Sequence, residues 1–148
     1  MDQNYVILTD SSCDLPAKTA EELGIVVLPL TLTLDGKEYA TYLDGREIGF
    51  SQFYDRIRQG EAATTSAANV EAYRGVMEPL LREGKDILLL VFSSGLSSTY
   101  QASLLAVEEL SEQYPDRKMA AVDTRCASMG QGLLVYLAAK KRLAGASL

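Results

Sequence analysis

The sequence predicts an α/β domain with a mostly parallel sheet flanked by helices on both faces, and a short β-hairpin after the second strand. Three observations predict it. Short apolar runs alternate with segments of helical period along the chain. One run, Ile87-Leu88-Leu89-Leu90-Val91-Phe92, is apolar without alternation, as expected for a central strand covered on both faces. The tight-turn dipeptide Asp35-Gly36 separates Leu30–Leu34, where leucines alternate with threonines, from Lys37–Thr41.

Taken in order, Tyr5-Val6-Ile7-Leu8 reads as the first strand and runs into the polar loop Thr9–Asp14. Asp14 is placed to cap a following helix, with Pro16 in its first turn and Gly24 as its stop. Ile25-Val26-Val27-Leu28 is the second strand, and the hairpin follows. Phe53, Tyr54 and Ile57 at helical spacing predict a helix over Ser51–Gln59, ended by Gly60. The polar stretch Glu61–Ser66 reads as a loop before a third helix, which Asn69 caps and Val70, Tyr73, Val76, Met77, Leu80 and Leu81 make amphipathic. Beyond Ile87–Phe92 come the loop Ser93–Thr99 and a helix to about Gln113. The strand Met119–Val122, the loop Asp123–Ser128 and a largely apolar helix to about Leu143 complete the pattern. Neither a repeat nor an internal domain boundary is visible.

With 148 residues, 47% apolar and 23% charged, the chain can bury a real core. No apolar run approaches the ~20 residues that span a bilayer. Met1-Asp2-Gln3-Asn4 lacks the basic and apolar regions of a secretory signal. The net charge of -6 argues against nucleic acid, since the densest basic run, Lys140-Lys141-Arg142, reads as a helix end. Cys13 and Cys126 are too few for a disulfide scaffold, which with the missing signal points to the cytosol. The chain holds no histidine, so it cannot by itself assemble a Ser-His-Asp or Cys-His arrangement, nor a His-containing zinc site.

Ligands of open α/β sheets bind outside the carboxyl ends of the strands, which singles out the loops Thr9–Asp14, Ser93–Thr99 and Asp123–Ser128, with Thr64–Asn69 as a further candidate. Five of the seven residues from Ser93 to Thr99 carry hydroxyls, and Gly95 permits a sharp turn into the next helix. Such a helix entrance suits a carboxylate or phosphate, although Ser97 or Ser98 would equally serve as a plain cap. Thr65-Ser66 has the same two readings. Asp10, a single Asp without nearby carboxylate partners, is weak evidence for a metal. No Gly-rich phosphate loop and no G-x-S-x-G elbow occurs. Cys13 and Cys126 both lie in loops after strands, either as neighbours able to oxidise reversibly or as unrelated small residues.

Four motifs in order resemble the DegV family. They are Asp10-Ser11-Ser12-Cys13-Asp14-Leu15-Pro16, Thr65-Ser66 ahead of a helix, Ser93-Ser94-Gly95-Leu96-Ser97-Ser98-Thr99-Tyr100, and Val122-Asp123-Thr124-Arg125-Cys126-Ala127-Ser128-Met129-Gly130. The resemblance implies the amino-terminal one of two α/β domains, residues 1–148, with a long-chain fatty acid held between the two. It further implies a non-catalytic subunit that needs no cofactor and presents the acyl carboxylate to a separate fatty acid kinase. By this resemblance Thr65 and Ser97 contact the carboxylate, while Ser66, Ser94 and Gly95 shape the same pocket. The acyl tail is then expected along the helices that follow Ser98 and Ser128. Ala67-Ala68-Asn69 and Ser98 depart from the family's pattern, in the loop after Thr65 and beside the head group. Two competing readings remain: a flavodoxin-like or phosphoryl-transfer enzyme using Asp10 and the Ser93–Thr99 loop, and an interaction module whose serine runs are only caps.

Overall fold

The structure, a computed structural model, describes residues 5–148; the start Met1–Asn4, on which the expectation of no leader rests, lies outside the described residues. Strands β1 (Tyr5–Asp10), β2 (Ile25–Leu28), β6 (Asp86–Val91) and β7 (Met119–Asp123) form a parallel sheet in the order β2-β1-β6-β7. Helices α1 (Ala17–Glu22) and α5 (Ser128–Leu143) belong to one face, and α3 (Val70–Arg82) and α4 (Thr99–Gln113) to the other. Side chains alternate between two cores as a strand requires: Ile7 packs with Leu15, Ala20 and Val135, while its neighbour Leu8 packs with Tyr73, Met77 and Leu110. Each helix turns one stripe inward, as with Tyr73, Met77 and Leu81 of α3, or Ala106 and Leu110 of α4. No helix among the described residues is long and apolar enough to cross a membrane.

The second unit is smaller. Strands β3 (Thr31–Leu34) and β4 (Lys37–Ala40) make the expected hairpin, with Asp35 and Gly36 both at positive φ (49° and 77°) as a type I′ turn demands. A third strand, β5 (Ala63–Ser66), pairs antiparallel with β3. Helix α2 (Phe50–Arg58) lies beside this sheet with no buried residue, and only Leu32, Leu34 and Ile48 form the local core.

Two expectations need correction here. Thr65 and Ser66 are strand residues and not loop residues: Thr65 sits opposite Leu32 and Ser66 opposite Thr31. The exposed, polar Ala-Thr-Thr-Ser of β5 shows no alternation because backbone pairing to β3, and not burial, holds it. Asp14 does not cap α1. It adopts φ 51°, outside helix-entry geometry, and its carboxylate accepts from the Ser128 hydroxyl at 2.6 Å, leaving Pro16 at the helix entrance. Asn69 does cap α3, its Oδ1 accepting from the Ala72 N–H at 2.8 Å.

Candidate head-group cavity

The strand order places β1 beside β6, whose helices leave toward opposite faces of the sheet. A crevice opens at such a switch point, outside the carboxyl ends of the strands. Here it widens into a cavity of about 840 Å³, roofed by the small sheet and α2. That volume lies in the range of small-molecule sites, roughly 300–1,000 Å³.

Hydroxyl side chains line much of the cavity, among them Ser11, Ser12, Thr31, Thr41, Thr65, Ser66, Ser97, Ser98 and Thr99. Aliphatic and aromatic side chains, including Leu30, Leu32, Leu43, Ile48, Phe50 and Phe53, also line it. No lysine or arginine lines it among the described residues, and Asp14 is the one acid that does. Any acid group bound here would be met by neutral donors.

Proton counting singles out Ser97. Its Oγ accepts from the Thr99 N–H at 3.2 Å and lies 2.9 Å from Thr99 Oγ1, which itself accepts from the Ala68 N–H at 3.3 Å. Thr99 is fully buried, so its own hydroxyl proton is best used on Ser97. Ser97 is then doubly supplied as an acceptor, and its O–H is free to donate into the cavity. Thr65 reaches the same cavity from β5, and Ser66 lies beside it. Two chain segments distant in sequence thus converge.

Ser94 and Gly95 stand elsewhere, outside the cavity lining. The Ser94 hydroxyl donates to Asp123 Oδ2 at 2.5 Å and its N–H to Oδ1 at 3.1 Å, tying the head-group loop to the end of β7. Those donors, the Ser94 hydroxyl foremost, and then Arg125 hold the Asp123 carboxyl down at about 2. Gly95 donates its N–H to the Ser93 hydroxyl oxygen at 3.2 Å and helps fold the turn. Ser94 and Gly95 therefore build the loop from behind, while Ser97 faces inward.

The apolar wall differs from expectation. No residue of α5 lines the cavity, and α4 contributes Thr99 alone. The wall comes from β3, the segment 40–48 and the aromatic face of α2. Helix α5 instead sets its inner face behind the turn at Ser11–Cys13, where Gly132 packs so closely that a Cβ would collide with the Cys13 carbonyl oxygen. Ser12 belongs to the candidate loop Thr9–Asp14, whereas Phe50, Phe53 and Tyr54 of α2 carried only a helical-spacing signal and no sign of a binding wall. Cys13 is buried, and that burial pushes its thiol up to about 11; Cys126 is half-buried and both are free. No group of three or more metal-ligating side chains occurs among the described residues.

Residues 4–148 match a family model described as "Uncharacterised protein, DegV family". A DegV domain-containing protein of Clostridium perfringens is 42% identical over 146 residues, covering 99% of this chain and 50% of that protein. Among solved structures, a DegV family protein from Thermus thermophilus, described by its fatty acid binding, superposes with a TM-score of 0.85 at 34% identity. The match covers 98% of this chain and 49% of that one. A stearic-acid-binding protein from Eubacterium ventriosum gives a TM-score of 0.88 at 25% identity, over 97% of this chain and 49% of its own. The chain spans about half the length of the relatives it matches.

Proposed function

The chain belongs to the DegV family, and from that premise we propose that it supplies the head-group half of a binding site for a long-chain fatty acid. One observation carries the proposal: hydroxyls from β5 and the Ser93–Thr99 loop share a single cavity with an apolar wall, and no cation intervenes. Thr65 and Ser97 donate to the carboxylate. Ser66 completes that end, and Ser94 and Gly95 keep the loop in shape. Neutral donors hold a carboxylate by hydrogen bonds without the tight charge pairing that a guanidinium would impose. A carboxylate so held remains available to a second protein, and in this reading the partner is a fatty acid kinase that forms the acyl phosphate. The chain then performs no chemistry unaided and uses no cofactor.

Solved relatives described as fatty-acid-binding support the reading. The phosphoryl-transfer alternative is weakened by Asp10, which is fully buried with both carboxylate oxygens already accepting from protein donors. The relatives' second half is needed for the remaining walls, since tail affinity grows with apolar area removed from water.

Lipid extraction and mass spectrometry on two purified proteins test the proposal: this chain, and this chain fused to the second half of the Clostridium perfringens relative. A near-stoichiometric fatty acid in the fusion, with little in the short chain, is the expected result. A fusion that comes out empty and takes up neither added oleate nor palmitate would remove the fatty-acid reading.

A further inference from the structure

We propose that Asp10 is the positioning residue of the head-group site, its buried carboxylate fixing the Ser11–Ser12 turn against the Ser93–Thr99 loop, with Gln131 of α5 as its anchor. The inference rests on the fatty-acid reading above, which nowhere uses Asp10 or α5.

Asp10 ends β1 at the switch point and is fully buried. Its Oδ2 accepts from the Phe92 N–H at 2.9 Å, across the crevice to the residue that opens the Ser93–Thr99 loop. Its Oδ1 accepts from the Ser12 N–H at 3.1 Å, from the Ser12 hydroxyl, and from Gln131 Nε2 at 3.2 Å. Ser12 and Phe92 both line the cavity. One carboxylate therefore joins two of its walls.

The orientation of Gln131 follows from its other neighbours. The Thr9 hydroxyl donates to the Leu90 carbonyl at 2.7 Å, so Thr9 Oγ1 presents only lone pairs to Gln131. The atom 3.0 Å away must be the amide nitrogen, which puts Nε2 toward Asp10 and Oε1 at 2.9 Å from the Ser12 hydroxyl. Gln131 is itself fully buried, reaching the turn from the helix whose Gly132 permits the close approach. Every group bonded to Asp10 is thus a neutral donor. None is a cation, so stability as an ion pair does not account for a buried acid here. An acceptor-only group with two oxygens is what this place requires.

The isosteric change Asp10→Asn tests this, because either orientation of the amide sets an NH₂ against the N–H of Phe92 or that of Ser12. The probes are palmitic acid and hexadecanol, which share a tail and differ at the head, titrated calorimetrically into the fused protein. The readout is the ratio of the two affinities, so weak binding suffices. In Asp10→Asn palmitic acid affinity is expected to fall about tenfold while hexadecanol changes little, the size of one lost hydrogen bond to a charged group. Gln131→Met keeps the two backbone donors and should give a smaller loss of the same kind. It also carries the test should Asp10→Asn fail to fold. Equal losses for both ligands, which leave the ratio unchanged, would reduce Asp10 to a structural residue and overturn the proposal. A wild-type fusion that binds neither probe, or does not distinguish them, removes the head-group reading and this inference with it.

Discussion

The two sides of the cavity are built on opposite principles. The parallel sheet side rests on two cores with fully buried Ile7, Leu8, Ile87, Leu89 and Leu110, and its loops are pinned by buried polar bonds such as Thr9 and Thr124 to the carbonyls of Leu90 and Val91. The side formed by the small sheet and α2 has three buried core residues, and α2 has none. Its tie at the far end is a part-buried cluster in which Arg56 meets Glu61 and Tyr39. The rigid side carries Ser97, where hydrogen-bond geometry matters to a few tenths of an ångström. The weaker side carries most of the apolar wall, where contact is non-directional and can tolerate adjustment.

The contrast is most directly broken by stability. Leu89→Ala, in the centre of the parallel sheet, should cost about 2–5 kcal/mol, as a large-to-small change in a close-packed core does. Phe53→Ala, on the half-buried aromatic face of α2, should cost roughly 1 kcal/mol or less in global stability yet weaken fatty acid uptake. Urea denaturation of both variants decides it. A loss from Phe53→Ala as large as that from Leu89→Ala would show that the two sides fold as one body.

The same contrast governs what the sequence could reveal. The parallel side was legible because its signals are local: the unbroken apolar run at Ile87–Phe92, the stripe Tyr73, Met77, Leu81, and the cap at Asn69. The strand at Ala63–Ser66 was not, because its only support is pairing with Leu32 and its neighbours some thirty residues earlier in the chain. The Asp14–Ser128 bond joins positions 114 apart, and the Asp10–Phe92 bond positions 82 apart; no window of sequence contains either pair. The serine and threonine motifs pointed to carboxylate contacts only through a family resemblance. Periodicity alone left Thr65 and Ser97 as possible caps. The tail expectation along α5 also came from the resemblance alone; the exposed leucines of that helix, such as Leu133 and Leu137, lie outside this cavity's lining.

A smaller effect sharpens the comparison at the head group. Ser97→Ala and Thr65→Ala should each weaken fatty acid binding by roughly 1–3 kcal/mol in the fused protein, the range for a lost hydrogen bond to a charged group. Ser97→Ala should also lower stability slightly, since Thr99 loses its acceptor in a buried setting. Thr65→Ala should leave urea stability unchanged, because the exposed β5 is held through its backbone. Equilibrium binding and denaturation run on the same samples separate the two. Wild-type affinity in both variants would take the carboxylate contacts away from these residues.

The smallest expected effect is set by acid. Asp123 is held at about 2, below the ordinary 3.8, by the Ser94 hydroxyl first and by the N–H groups of Ser94 and Arg125. A carboxyl lowered on folding stabilises the folded state fully above its unfolded value, and that contribution fades as pH falls from about 4 through about 2. On the other side of the cavity Glu61 is likewise lowered, by its hydrogen bond from Arg56. Both ties therefore weaken in acid, but they guard different walls. Amide exchange followed between pH 4 and 2 should show the Ser93–Thr99 loop and the segment around Glu61 opening as separate units. Asp123→Asn keeps an acceptor for Ser94 while removing the titration, so its loop should lose most of the pH dependence while the Arg56–Glu61 region keeps its own. If that substitution flattened the response of both walls together, the cavity would be one cooperative unit, and the division into a rigid head-group side and a yielding apolar side would fail.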